Sequence, residues 1–383
     1  MTLDTQNEMA LAGDETLARV TRTMIELAGV PSLSGQEDEI RAYTRKRLER
    51  LGLATVTDAA GNLIARIPGV PAERDTEPPL LLDAHLDRVA PGLAHTPVIV
   101  DGVMRGDGKT NLGADNNAGV AIILETLDAL QERGLSHPPL LALFTVSEEV
   151  GLKGAKAFDP APWGVVDGLI FDNAGAAGAV ATRAATYIAF DVAIHGAGGH
   201  PGQGLDGAVS AIEIFRRAAY PWGSLDGDAT RISVGRVEAG TARNAVPREL
   251  RAQGEIRTLL EGAERAALLD RVARAFTDAA EAMGGSAEVS FDSHCDSYTV
   301  PEDEPALLAW RKAYEARGGT FRTVTSYIGS DSSALRRHIH AVTISTGAMS
   351  EHTIGEYIAL APLAGLVETA VDLLAGWRAA PGA

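Results

Sequence analysis

Apolar residues recur at three- and four-residue spacing over Leu17, Val20, Met24 and Leu27, which predicts a first helix closed by Pro31. Ser34 and the acidic residues after it open a second helix carrying Ile40, Tyr43, Leu48 and Leu51, with Gly52 as its stop. After Pro79 the run Leu80–Ala84 is continuously apolar but for Asp83, as expected of a strand buried on both faces. A helix is expected over Gly119–Leu130, with further buried strands over Leu140–Val146 and Leu169–Phe171. Strands alternating with helices predict a three-layer α/β domain with a largely parallel sheet.

The pattern changes near residue 185. Tyr187–Ile194 alternates between the faces of a half-exposed strand. A helix over Gly207–Ala219, alternating segments at Ile232–Val237 and Leu250–Ile256, a helix over Ala263–Met283 and a strand at Ala287–Phe291 follow. That order, β-α-β-β-α-β, predicts an inserted α+β ferredoxin-like domain. The α/β pattern then resumes with a helix at Ala306–Arg317, strands at Phe321–Thr325 and Ala341–Ser345, and a helix ending near Trp377. The expected division is a catalytic domain over 1–185 and 294–383, interrupted by a smaller domain over 186–293.

Composition narrows the function. Among 383 residues, 45% are hydrophobic and 22% charged, as in an ordinary globular protein. The 51 acidic residues outnumber the 34 basic ones, a net charge of −17, so nucleic acid and anionic membrane surfaces are poor partners. One cysteine, Cys295, excludes an intramolecular disulfide and a thiolate-rich zinc site, leaving His, Asp and Glu to hold any metal. No secretory pattern opens the chain and no apolar run spans a bilayer, so a cytoplasmic protein is expected.

The acids and histidines gather where the predicted strands end. His85 and Asp87 follow the first buried strand, and residues two apart on extended chain share a face. His85 can bind a metal while Asp87 steadies its ring, or the two can make ordinary loop hydrogen bonds. Asp115 precedes an apolar helix, where a carboxylate serves equally as a cap. Glu148 and Glu149 end a second strand; adjacent carboxylates there repel unless a cation or proton intervenes. Asp172 closes a third strand. In open α/β sheets ligands bind beyond the carboxyl ends of the strands, so these residues converge on one edge. A carboxylate-rich site with histidine suits zinc, cobalt or manganese.

The ordered motifs LLLDAHLD, GADNNAGVA, TVSEEVGLKGAKAF, FDNAG, GGHPG, GTARNAVP, GEIRT, GSDSSAL and STGAMSEHTIGEYI resemble the peptidase-T-like branch of the co-catalytic dinuclear zinc peptidase family, which also holds carboxypeptidase G and aminoacylase. The likeness runs from about residue 20 to 375. It implies two divalent metal ions, zinc foremost with cobalt or manganese as alternatives. His85 and Asp172 would hold one, Glu149 and His352 the other, and Asp115 would bridge them. Asp87 would orient His85, and Glu148 would be the general base. The resemblance further implies a cis peptide after Asp115 and makes the inserted domain a lid. His200 would then stabilise the oxyanion, Asn244, Arg257 and Ser330 would contact substrate, and a homodimer could form through the lid.

Two details depart from the branch. Asp115-Asn116-Asn117 stands where Asp-Asp followed by a basic residue is usual, and Pro201 follows the lid histidine. The expected activity is hydrolysis of an amide bond in a small peptide substrate, from its amino end. The alternatives are a deacylase of N-acyl amino acids and a metal-binding protein that has lost catalysis; against the last, the five ligand positions and the base are all filled.

Overall fold

The computed structural model describes residues 15–377; of the amino-terminal stretch read for a targeting signal, only its end falls within them. In chain order the elements are α1 (Glu15–Ala28), α2 (Asp38–Arg50), β1 (Thr55–Thr57), β2 (Leu63–Ile67), β3 (Leu80–His85), β4 (Val98–Val100), β5 (Val103–Arg105), α3 (Ala114–Glu132), β6 (Leu140–Thr145), α4 (Lys153–Ala157), β7 (Asp167–Phe171) and β8 (Val180–Ala184). They continue with β9 (Thr186–His195), α5 (Ala211–Arg217), β10 (Gly223–Leu225), β11 (Thr230–Ala239), β12 (Glu249–Thr258), α6 (Gly262–Ala282) and β13 (Ser286–Cys295). The last are β14 (Tyr298–Thr299), α7 (Pro305–Ala316), β15 (Thr323–Ser326), α8 (Ser332–Leu335), β16 (His340–Ile344), β17 (Ala348–Met349), β18 (Tyr357–Ala359) and α9 (Leu360–Gly376).

The chain forms two compact units. One comprises the chain to Arg183, Thr299–Ser326 and the part from Ser330 onward; the other comprises Ala184–Tyr298 with Tyr327–Gly329. The smaller unit is therefore wider than the 186–293 expected. Its last strand runs to Cys295 because a register shift after Ser293 keeps it paired with β9 as far as Tyr187. Tyr327 joins it because Arg231 lies 3.6 Å over the tyrosine ring and Arg257 Nη1 donates to the Tyr327 carbonyl at 3.3 Å.

In the larger unit the main sheet has the order β1-β2-β6-β3-β7-β16-β8-β14, with β15 on β8. The pairs β3–β6, β3–β7 and β7–β16 are parallel, and the flanking pairs β2–β6 and β8–β16 antiparallel. Every residue of β3 and β6 is buried, as their apolar runs require. Side chains alternate across β3. The methyl of Ala84 faces α3, which packs with α1 and α9. On the other face Leu81 joins Leu141, Leu143 and Ile170 against Ala334 and Leu335 of α8. Helices thus cover both faces, and the fold is the three-layer α/β arrangement expected. A second, four-stranded sheet, β17-β18-β5-β4, is built from strands of two or three residues whose brevity leaves no readable period.

The smaller unit is an antiparallel sheet of order β10-β11-β12-β9-β13. Without the short β10 the order is that of a ferredoxin-like domain. Ile188, Phe190, Val192 and Ile194 alternate inward from β9 onto Ile214 of α5 and Val272 and Phe276 of α6. Helix α5 is shorter than the Gly207–Ala219 expected. Ser210 caps it by accepting from Glu213 N at 3.3 Å, and Gly207 stands at φ 78°, outside helical space. Among the described residues, no helix is long and apolar enough to cross a membrane.

Three helix ends of the larger unit meet at Glu368 on α9. Arg133 Nη1 donates to its carboxylate at 2.8 Å and Arg317 Nη2 at 3.2 Å, with Thr16 Oγ1 a third donor. These partners, Arg133 first, hold the Glu368 carboxyl down to about 2 against an ordinary 4.5. A depressed carboxylate stabilises the fold above its unfolded pKa, and that contribution is lost as pH falls through the folded value. Glu368→Gln should cost roughly 1–2 kcal/mol at pH 7, after discount for solvent screening, with the deficit closing between about pH 4.5 and 2. Urea unfolding of both proteins across that range measures it.

Candidate metal centre

The parallel strands β3, β6 and β7 end side by side, with His85 paired in register to Thr145. The chain leaving each strand carries an expected ligand or base: His85 ends β3, Glu148 and Glu149 follow β6, and Asp172 follows β7. Asp115 enters from α3. Its residues Asp115 and Asn116 are not helical, and the peptide between them is cis. The cap is Asn116, whose Oδ1 accepts from Gly119 N at 3.0 Å, so the Asp115 carboxylate is left for other work. Gly119 lets this helix end approach the sheet, since a Cβ there would lie 2.2 Å from the Phe171 carbonyl oxygen.

Five side chains converge on this edge. His85 Nε2 lies 3.1 Å from Asp115 Oδ1 and 3.5 Å from Asp172 Oδ1. His352 Nε2 lies 3.3 Å from Asp115 Oδ2 and 3.0 Å from Glu149 Oε2. The two oxygens of Asp115 therefore face different histidines, one on each side. Ligand atoms of His85, Asp115 and Glu149 all fall within 4.8 Å of one another. His85 Nδ1 is 3.0 Å from the Asp87 carbonyl; donating there leaves Nε2 to present its lone pair to the cluster. His352 stands at φ 61°, a left-handed conformation that histidine enters more readily than most residues.

Asp87, expected to hold the His85 ring, also makes contacts beyond it. Its carboxylate is 3.5 Å from His85 Nδ1, farther than its own backbone carbonyl. Its oxygens also accept from Glu148 N at 2.9 Å, Glu149 N at 3.2 Å and Ser34 Oγ at 2.7 Å. Asp87 thus fixes the backbone that carries both glutamates. Glu37 braces the preceding residue, accepting from Ser147 N at 3.0 Å and Ser147 Oγ at 3.1 Å.

The electrostatics are those of crowded anions. Burial pushes Glu148, Glu149 and Asp172 above the ordinary carboxylate range. Burial would do the same to Asp115, but His352 and His85 outweigh it and hold it far below. Hydrogen bonds to Asp115 and Glu149 raise His352 to about 10. Burial would lower His85, yet Asp172, Asp115 and Asp87 raise it well above its usual value. Asp172 Oδ2 is buried with no hydrogen-bond partner among the described residues. Imidazole and carboxylate lone pairs converging in a site buried on the His85 side and open at His352, one of them orphaned, fit divalent cations, which compete with protons for the same atoms.

The pattern of the chain missed several neighbours. Asp83 is fully buried on the His85 face of β3, with neither carboxylate oxygen hydrogen-bonded among the described residues. Asp331 beside it accepts from Thr145 Oγ1, and burial raises it to about 7. In this loop Ser330 was the expected substrate contact, yet it is buried with its hydroxyl 3.3 Å from Thr343 Oγ1. Glu356 carries no period or strand-end signal; its only cue is its place four residues after His352.

The other expected site residues belong to the smaller unit. His200 is exposed, and its Nδ1 accepts from Gly202 N at 3.1 Å. Asn244 is exposed in a turn. Arg257 on β12 lies 3.7 Å over the Tyr187 ring and 3.2 Å from Glu255 Oε2.

A family profile described as peptidase family M20/M25/M40 matches residues 81–376. Over 368 residues the chain is 31% identical to an uncharacterized protein, YqjE, of Bacillus subtilis strain 168, covering 93% of this chain and 97% of that one. The crystal structure of the aminopeptidase PepT from Bacillus cereus ATCC 10987 superposes with a TM-score of 0.85 at 30% identity, over 94% of this chain and 98% of that one. A tripeptidase from Staphylococcus aureus Mu50 superposes with a TM-score of 0.88 at 27% identity, over 94% and 97%. With its strand-end cluster and a profile match covering most of its length, the chain belongs to peptidase family M20/M25/M40.

Proposed function

We propose that this protein is a metal-dependent aminopeptidase of the peptidase-T kind that hydrolyses the amide bond of a short, unblocked peptide. The observation that carries the reading is Asp115, whose two oxygens each face a different histidine at 3.1 and 3.3 Å. The likeness to an aminopeptidase and a tripeptidase over nearly the whole chain supports the substrate class.

His85 and Asp172 would hold one cation, His352 and Glu149 the other, with Asp115 shared. Such a pair, zinc or alternatively cobalt or manganese, supplies a lowered water pKa and a polarised scissile carbonyl. Glu148 is the free carboxylate beside these groups. It takes a proton from the attacking water and delivers it to the leaving amine. Its backbone N–H is bonded to Asp87, which keeps that carboxylate from drifting. Ser147, just before it, is locked by Glu37. In this reading the smaller unit serves as lid and dimer contact. His200 steadies the oxyanion, and Asn244 and Arg257 take the substrate, with Ser330 on the same loop as Asp331. Arg257 is suited to a terminal carboxylate because Tyr187 and the Tyr327 carbonyl already hold its planar fork.

Three outcomes follow. Chelation should abolish peptide hydrolysis and lower the melting temperature, and added zinc, cobalt or manganese should restore both, as followed by assay and calorimetry. Glu148→Gln should lower kcat by about 10²–10⁴ while plasma emission finds an unchanged metal content; wild-type turnover in this variant would overturn the base assignment. Arg257→Ala should raise KM roughly 10–100-fold for a tripeptide with a free carboxylate and far less for its amide. The same assay run on tripeptides, dipeptides and N-acetyl amino acids decides the class, and turnover of the acylated compounds alone would favour a deacylase.

A further inference from the structure

Two loops that reach the cluster lie far apart in the chain but are tied by one side chain. Glu356 is 1% exposed. Its Oε2 accepts from Gly113 N at 2.7 Å and its Oε1 from Asp115 N at 2.8 Å. Both carboxylate oxygens are thus spent on the backbone that presents the shared ligand.

Each end of this clasp is itself anchored. Gly113 stands at φ 73°, and a Cβ there would lie 2.2 Å from Arg88 Cδ, so this turn of backbone is pressed against the arginine. Arg88 is equally buried, and its Nε donates to Ser32 Oγ at 2.9 Å. At the other end, Glu356 N donates to the Thr353 carbonyl at 3.2 Å. Thr353 Oγ1 donates to the Ser350 carbonyl at 2.7 Å and accepts from Gly355 N at 3.1 Å. This knot encloses His352 and its left-handed backbone.

We infer that Glu356 is a positioning residue: it fixes the distance between the Asp115 carboxylate and the His352 imidazole, and so sets the divalent-ion affinity of the site. The inference rests on the metal-centre reading above. The side chain touches neither imidazole, and it acts through backbone N–H groups at one end and its own loop at the other. A glutamine keeps the shape but turns one acceptor into an NH₂ group facing a backbone N–H.

The test uses the metal-free full chain titrated with cobalt against a competing chelator, together with the visible spectrum of the cobalt protein. The control is Val371→Ala, a core truncation on α9 that makes none of these contacts. Glu356→Gln should weaken cobalt binding about 10–100-fold and change the cobalt spectrum. Val371→Ala should lower the melting temperature and leave affinity and spectrum alone. Wild-type affinity and spectrum in Glu356→Gln would overturn the inference, as would equal changes in the control. If the glutamine variant does not fold, Glu356→Asp, which keeps the charge but shortens the reach, should show the same weakening. A wild-type chain that bound no cobalt would instead overturn the metal-centre reading, and the inference with it.

Discussion

Like charges gathered out of water repel, and that repulsion organises the larger unit. Asp115, Glu148, Glu149 and Asp172 sit at one sheet edge, three of them raised chiefly by burial. Two histidines interleave with them at 3.0–3.5 Å. Leaving such a group unpaired in a low-dielectric setting costs far more than an ordinary hydrogen bond returns. Protons or cations relieve that repulsion, and two imidazoles alone do not neutralise four carboxylates. Divalent cations answer that imbalance directly.

Holding those groups in place falls to other buried anions acting on backbone. Glu37 accepts from Ser147, Asp87 from Glu148 and Glu149, and Glu356 from Gly113 and Asp115. Each is a carboxylate bonded to N–H groups of a loop, a charge-assisted contact that is short and directional. The parallel strands bring the loops to one edge, but strands alone do not fix a carboxylate to a few tenths of an ångström. The bracing anions supply that fixity, which is why the loops that carry the chemistry are knitted rather than slack.

Much of this was legible in the chain. The runs at Leu80–Ala84 and Leu140–Val146 are buried strands because only a sheet covered on both faces tolerates them, and the residues expected as ligands follow their ends. Asp115 was ambiguous between cap and ligand, and only coordinates show Asn116 taking the cap. Asp87, expected to hold the His85 ring, lies 3.5 Å from its Nδ1 and also binds the backbone of both glutamates, a second contact that two-residue spacing does not reveal. Glu37 and Glu356 were invisible. They bind backbone N–H groups, which every residue carries, so nothing in the partner's identity betrays the contact. The short strands β4, β5, β17 and β18 escaped for a related reason: three residues cannot show a period.

Asp83 carries the same reasoning to the interior. A carboxylate in the middle of a fully buried strand is the least expected residue in the sheet, and no hydrogen bond offsets it. It shares a strand face with His85, and Asp331 lies against it from the start of α8. Its register neighbour on β6 is Leu143, so the strand pairing gives no reason for the acid. Burial first, then the neighbouring Asp331 and Asp172, pushes its carboxyl well above the ordinary carboxylate range, which favours the neutral acid on this face of the strand. The crowding of acids in this unit therefore extends from the strand ends into the sheet, where burial sets each inner acid against ionising.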